Sequence, residues 1–117
     1  MANEKINYLE YPAANLASTK TFFSEVFGWT FTDYGPEYVA FDKSAGIDGG
    51  FYLSDNVSRS EAGACLTVFY SDDLTAIEQK IMQYGGKITK ACFDFPGGRR
   101  FHFSDPNGNE FAVWSDK

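Results

Sequence analysis

The sequence predicts an α+β fold of two βαβββ modules in one chain, a mixed curved sheet forming a concave cleft with the helices on its outer face. Three observations lead there. Landmarks recur at a fixed interval: Tyr8 and Leu66, Asn15 and Asp73, Leu16 and Leu74, Phe23 and Ile81, and Gly28 and Gly86 each stand 58 residues apart. Each half begins with a strand-like run followed by a capped amphipathic stretch. The last hairpin is explicit: Phe101, Phe103, Phe111 and Val113 flank Ser104-Asp105-Pro106-Asn107-Gly108-Asn109, a run of turn formers in which Asn107-Gly108 tolerates φ > 0. A duplicated unit accounts for the whole pattern. One such unit cannot cover both faces of its own sheet, whereas two together can.

Taken in order, residues 6–11 (INYLEY) read as a strand ended by Pro12. Asn15 is a helix N-cap, and over residues 16–27 Leu16, Thr19, Phe23, Val26 and Phe27 fall on one face before Gly28 stops the helix. Residues 29–31 and 38–41 are strands around a Gly35-Pro36 turn. Residues 46–50 are a second turn, and 51–53 a short strand. The polar run 55–63 connects the modules. Residues 65–70 are then a strand, Ser71-Asp72-Asp73 caps a helix over 74–84, and Gly85-Gly86 ends it. Residues 87–90, 101–103 and 110–114 supply three more strands. The organisation is a single domain over 1–117, with module one at about 5–55 and module two at about 64–115.

Composition bounds the function. With 117 residues there is room for one core. The chain has 12 Phe and 7 Tyr, too apolar for disorder, and most of these rings must be core. A net charge of -6 argues against nucleic acid or an anionic membrane as partner. No run approaches the ~20 apolar residues that span a bilayer, and residues 1–11 lack the basic start and apolar run of a signal peptide. Cys65 and Cys92 match no C-x-x-C pattern and read as two buried small residues in a reducing, cytoplasmic compartment.

Five motifs in order carry a family resemblance: Asn15-Leu16, Phe22-Phe23-Ser24-Glu25-Val26-Phe27-Gly28-Trp29, Asp72-Asp73-Leu74, Gly85-Gly86-Lys87, and Asp105-Pro106-Asn107-Gly108-Asn109. Together they closely resemble the vicinal oxygen chelate superfamily, which includes glyoxalase I, bleomycin- and fosfomycin-resistance proteins and extradiol dioxygenases. The likeness covers residues 6–115. Metal-bearing members place a histidine seven residues before each helix-capping residue and a carboxylate seven after the Asp of Asp-Pro-x-Gly. Here the resemblance puts Tyr8, Leu66 and Ala112 at those positions, with no carboxylate near 51–53. Leu66 and Ala112 offer no donor atom, and a neutral tyrosine is a poor ligand for first-row metals. The ancestral metal site therefore reads as lost, with no cofactor in its stead, and glyoxalase I or dioxygenase activity is not expected.

Strand alternation says what shares a face. If Tyr8 and Ala112 point into the cleft, so do Glu10, Val68, Glu110 and Trp114. Fosfomycin-resistance relatives use a residue three before the Asp of Asp-Pro-x-Gly to touch the ligand. The resemblance makes that His102, the only histidine, with Arg100 beside it. The expected site holds Tyr8, Glu10, Arg100 and His102 over a floor of Leu66, Val68, Ala112 and Trp114. Gly97-Gly98-Arg99-Arg100 precedes a strand rather than a helix, so it is not a phosphate loop. The preferred function is a metal-independent, small-molecule-binding protein of the bleomycin-resistance type, assembled as a homodimer. The alternative is a lyase or isomerase acting on a small carbonyl compound, with His102 or Glu10 as general base and Arg100 holding the oxyanion. A third reading leaves the cleft vestigial and gives the protein a partner-binding role.

Overall fold

Asn15 opens the first helix by leaving the helical region itself (φ -137°, ψ 106°) and accepting the Ser18 amide on Oδ1 at 2.9 Å. The structure, a computed structural model, describes residues 1–117 and divides into two compact units, 1–56 and 57–117. In the first unit the order is β1 (Tyr8–Ala13), α1 (Leu16–Phe27), β2 (Phe31–Asp33), β3 (Tyr38–Phe41) and β4 (Asp48–Leu53). The strands form one sheet in the order β1-β4-β3-β2, with β1 parallel to β4 and the other pairs antiparallel. Gly28 closes α1 in the left-handed region at φ 73°, where a side chain would be strained. The module's surplus of rings is its core. Phe23 stacks on Trp29 at 4.5 Å and meets Phe51 at 5.3 Å, which fixes α1 on β4.

Several boundaries differ from the sequence expectation. Pro12 does not end β1 but sits within it, paired with Tyr52. As an edge strand, β1 needs a ladder on one side only, so a missing N–H is tolerated. Trp29 precedes β2 and is buried instead of belonging to it. Gly49 and Gly50 lie inside β4 rather than in a turn. A Cβ on Gly49 would collide with the Leu9 carbonyl oxygen and the Phe41 ring, and one on Gly50 with the Tyr38 phenol. Close packing, not a reversal, requires these glycines. Phe22, passed over in the apolar face, is fully buried.

The second unit repeats the first: β5 (Thr67–Tyr70), α2 (Leu74–Gln83), β6 (Lys87–Phe95), β7 (Gly98–Ser104) and β8 (Glu110–Ser115), in the order β5-β8-β7-β6 with β5 parallel to β8. The mixed sheet is thus realised as two four-stranded sheets, one per module. Asp73 caps α2 through Oδ1 and the Ala76 amide at 3.1 Å. The interval of 58 holds for the caps but slips by one at the helix end. The left-handed glycine is Gly85 (φ 99°), so Gly86 is not the counterpart of Gly28. Both hairpin strands run past their apolar segments. β6 continues to Phe95 through two register shifts, and β7 begins at Gly98 after the Pro96-Gly97 turn. Cys65 and Cys92 are free and exposed, contrary to the burial expected. Cys65 precedes β5, and Cys92 lies on the irregular edge strand β6, where packing is one-sided. No helix is long and apolar enough to cross a membrane.

Candidate functional site

The β7–β8 hairpin and the residues strapped to it build the site. In its turn, Asp105 is nearly inaccessible; its Oδ1 accepts the Asn107 and Asn109 amides at 3.0 and 2.9 Å. Burial pushes its carboxyl up, against the opposing hydrogen bonds from Asn107 and Asn109. Gly108 provides the left-handed residue at φ 95°. The fully buried Asn109 turns Oδ1 outward to the Ser58 amide at 2.9 Å, and the Glu110 amide donates to the Ser58 carbonyl at 2.8 Å. The turn therefore does more than reverse the chain. It pins residues 58–60 against the start of β8.

Alternation along β7 sends Phe101 and Phe103 into the core and leaves Arg100, His102 and Ser104 on the other face. His102 pairs in register with Ala112, a small and fully buried residue, and so reaches Glu110 diagonally across the hairpin. His102 Nδ1 lies 2.8 Å from Glu110 Oε2. The other oxygen, Oε1, accepts the Ser60 amide at 2.8 Å and the Ser60 hydroxyl at 2.7 Å. These Ser60 bonds, then His102, hold the Glu110 carboxyl down at about 2. An ionised carboxylate only accepts, so Nδ1 carries the proton in this contact. In the neutral ring Nε2 is then the lone-pair nitrogen. It is buried and has no hydrogen-bond partner, on a side chain only 9% exposed.

His102 forms part of the wall of a pocket of about 480 Å³. Arg59 and Lys90 contribute the cations of that wall, with Ser60, Ser104 and Glu110 among the other lining groups. Lys90 stands directly opposite His102 in the β6–β7 ladder, its Nζ 4.5 Å from the centre of the Phe93 ring. Arg59 makes a 3.5 Å ion pair with Glu61, both side chains exposed.

Of the residues singled out from the sequence, Arg100, His102, Val68, Ala112 and Trp114 lie on rows of one sheet face. Val68, Ala112 and His102 are consecutive register partners, and Trp114 is opposite Arg100. Leu66 falls just before β5. Arg100 places its guanidinium 5.4 and 6.0 Å from the Phe93 and Phe95 ring centres, and its Nε is likewise buried without a partner. It does not line the His102 pocket. Tyr8 and Glu10 belong to the first module and to a separate network. Tyr38 donates to Glu10 Oε2 at 2.8 Å, so its own oxygen accepts from Tyr8 at 2.7 Å. Burial, then the bonds to Tyr8 and Glu10, push the Tyr38 phenol up, which keeps that proton in place.

Alternation puts Glu110 on the cleft face with Ala112, though the expected site omits it, and the hairpin places it diagonal to His102. Ser60, Arg59, Lys90 and Tyr38 were not singled out from the sequence. Ser60 and Arg59 sit in a polar connector 50 and 51 residues before Glu110, and nothing local marks them. No three His, Cys, Asp or Glu side chains come together as a group that could hold a metal ion, and Leu66 and Ala112 carry no side-chain donor atom.

Comparison with known proteins agrees with this architecture. The Glyoxalase/Bleomycin resistance protein/Dioxygenase superfamily matches over residues 5–113, and the chain belongs to that superfamily. Among solved structures it resembles the fosfomycin resistance protein FosX from Listeria monocytogenes (TM-score 0.78, 15% identity, covering 97% of this chain and 94% of that one). It also resembles a glyoxalase/bleomycin resistance protein/dioxygenase family enzyme from Burkholderia phytofirmans PsJN (TM-score 0.77, 14% identity, 95% and 98% covered). A third is lactoylglutathione lyase from Agrobacterium tumefaciens (TM-score 0.69, 19% identity, 97% and 95% covered). At such identities the likeness is one of fold. By sequence the chain is similar to the anthracycline biosynthesis protein DnrV of Streptomyces peucetius, 27% identical over an alignment 124 positions long that covers 92% of this chain. That alignment takes in 45% of DnrV, so the chain spans less than half that relative's length.

Proposed function

We propose that this protein is a metal-independent, small-molecule-binding member of the superfamily, of the bleomycin-resistance type, and that its ligand enters the second module's pocket. One observation carries the reading: Nε2 of His102 is buried without a partner at the wall of that pocket, while Nδ1 is held by Glu110. A buried polar atom left unsatisfied costs about 1–3 kcal/mol, which a hydrogen-bonding ligand recovers. Arg100, with its own unpartnered Nε two residues along the strand, lies outside the lining of that pocket and is not a contact in this proposal. The reading is tested by a thermal-shift screen of small organic compounds. Compounds that raise the melting temperature of the native protein and lose that effect in His102→Ala support it; hits indifferent to His102→Ala refute it.

The enzyme reading is favoured by one feature, the carboxylate behind the imidazole. Glu110 fixes the ring and the tautomer in which Nε2 is the basic nitrogen, as a general base requires. In that version His102 Nε2 removes a proton from carbon next to a carbonyl, while Arg100, outside the pocket lining, is not placed to meet the charge developing on oxygen. Glu10, the other candidate base, is already engaged by Tyr38. Turnover of a carbonyl compound that hits the screen, abolished in His102→Ala, separates catalysis from binding. The same reading makes the protein a cytoplasmic homodimer. Two free, exposed thiols suit a reducing compartment, and exposed Tyr8, Tyr52, Val68 and Tyr70 offer apolar surface to a second copy.

A further inference from the structure

We infer that the His102 pocket selects small organic anions that carry a hydrogen-bond donor next to the charged group, with Lys90 as the anion-binding cation. The inference rests on the reading of this pocket as the binding site and assigns the class of molecule it takes. The charges of the pocket wall differ in how far they are already answered. Glu110 accepts two bonds from Ser60 and one from His102, so its carboxylate is occupied from within the protein. Arg59 and Glu61 answer one another, loosely and in solvent. Lys90 makes no ion pair; its ammonium rests on the face of Phe93. It is the cation of the wall with no carboxylate set against it.

Register fixes the rest. Lys90 and His102 are direct partners across the β6–β7 ladder, so their side chains leave the sheet as neighbours. The Phe93 ring touches both, lying under the Lys90 ammonium and 6.0 Å from the imidazole centre. The pocket wall thus sets a positive charge beside a ring whose Nε2 is buried without a partner. In the neutral ring, with Nδ1–H given to Glu110, Nε2 accepts and does not donate. A bare anion answers Lys90 but leaves Nε2 empty, and a neutral alcohol does the reverse. A hydroxycarboxylate answers both, with its carboxylate on Lys90 and its O–H on Nε2. In a chain of net charge -6 such a local cation is the means by which an anion is held at all.

His102 is the only histidine, so its two ring nitrogens give unambiguous NMR signals in the whole protein. The probes are mandelate, which has charge and donor, phenylacetate, which has charge alone, and mandelamide, which is neutral. Titration of each against the His102 ring resonances is expected to show mandelate binding about tenfold tighter than either analogue. Lys90→Met, which keeps the aliphatic stem, is expected to bring mandelate to the level of mandelamide, whereas Lys90→Arg preserves the preference. Mandelamide binding as well as mandelate, or Lys90→Met leaving the ratio unchanged, overturns the assignment of ligand class while the pocket stands. No movement of the His102 resonances with any of the three, charged or neutral, overturns the pocket reading itself.

Discussion

Glu110 and His102, diagonal neighbours across one hairpin, share a 2.8 Å hydrogen bond whose acceptor oxygen belongs to a carboxylate already held by Ser60. The arrangement depends on Glu110 staying ionised. Its folded value of about 2 lies below the ordinary 4.5, so its stabilising contribution is complete above about pH 4.5 and disappears as pH falls through about 2. The shift alone corresponds to roughly 3 kcal/mol, and solvent at the pocket mouth reduces this to about 1–2 kcal/mol. Glu110→Gln is expected to be less stable than the native protein at pH 7 by that amount. The difference should shrink as pH falls through this window. Urea unfolding at pH 7 and pH 3 measures both, and equal stability at pH 7 would contradict the assignment.

Removing the hydroxyl that supports this carboxylate tests the strap from the other side. Ser60→Ala deletes one of three hydrogen bonds to Glu110 and leaves the amide bond in place. A loss of about 0.5–1.5 kcal/mol is expected, with an altered His102 ring signal in NMR spectra. A spectrum identical to native would show that residues 58–60 do not orient the imidazole.

Two adjacent glycines of β4 make a paired prediction. A methyl on Gly49 meets the Leu9 carbonyl and the Phe41 ring, backbone and core that cannot retreat. A methyl on Gly50 meets first the far end of Tyr38, which can swing out at the expense of its bonds to Tyr8 and Glu10. Gly49→Ala should therefore cost about 3 kcal/mol or more and Gly50→Ala about 1–2 kcal/mol. Chemical denaturation of the two variants decides the order, and Gly50→Ala being the worse would reverse the account.

Elemental analysis of the purified protein is expected to find no stoichiometric Zn, Ni, Mn or Fe, because Leu66 and Ala112 stand where ligands would be needed. About one ion per chain, removable by a chelator with loss of ligand binding, would be the contrary result.

Light scattering at micromolar concentration is expected to give twice the mass of a single chain. Exposed Tyr8, Tyr52, Val68 and Tyr70 supply the apolar surface for it. A monomeric mass would remove assembly from the proposal.

Much of the fold was legible because its signals are local. Asn15 and Asp73 announce helix starts by their own chemistry, and alternation correctly put Arg100 and His102 on one face with Ala112 and Trp114. What misled were breakers whose tolerance is set by tertiary context. Pro12 is acceptable only because β1 is an edge, and Gly49, Gly50 and Gly98 are strand residues because other groups fill the space a side chain would need. The site was half legible for the same reason. His102 stood out by type and position. Ser60 acts through a contact spanning 50 residues of chain, and Tyr38 joins Glu10 from the far side of a hairpin, relations no local pattern encodes.

The parallel pairing of β5 with β8 sets an order of events during synthesis. As the chain emerges, the strand that leads the second module, β5, has no neighbour until β8 appears, and Ser60 meets Glu110 only then. The first module, whose strands all lie within residues 8–53, can complete its sheet while the second is still being made. The contact of Glu110 with His102 is therefore among the last pairings to form, and the wall of the pocket is completed only with β8.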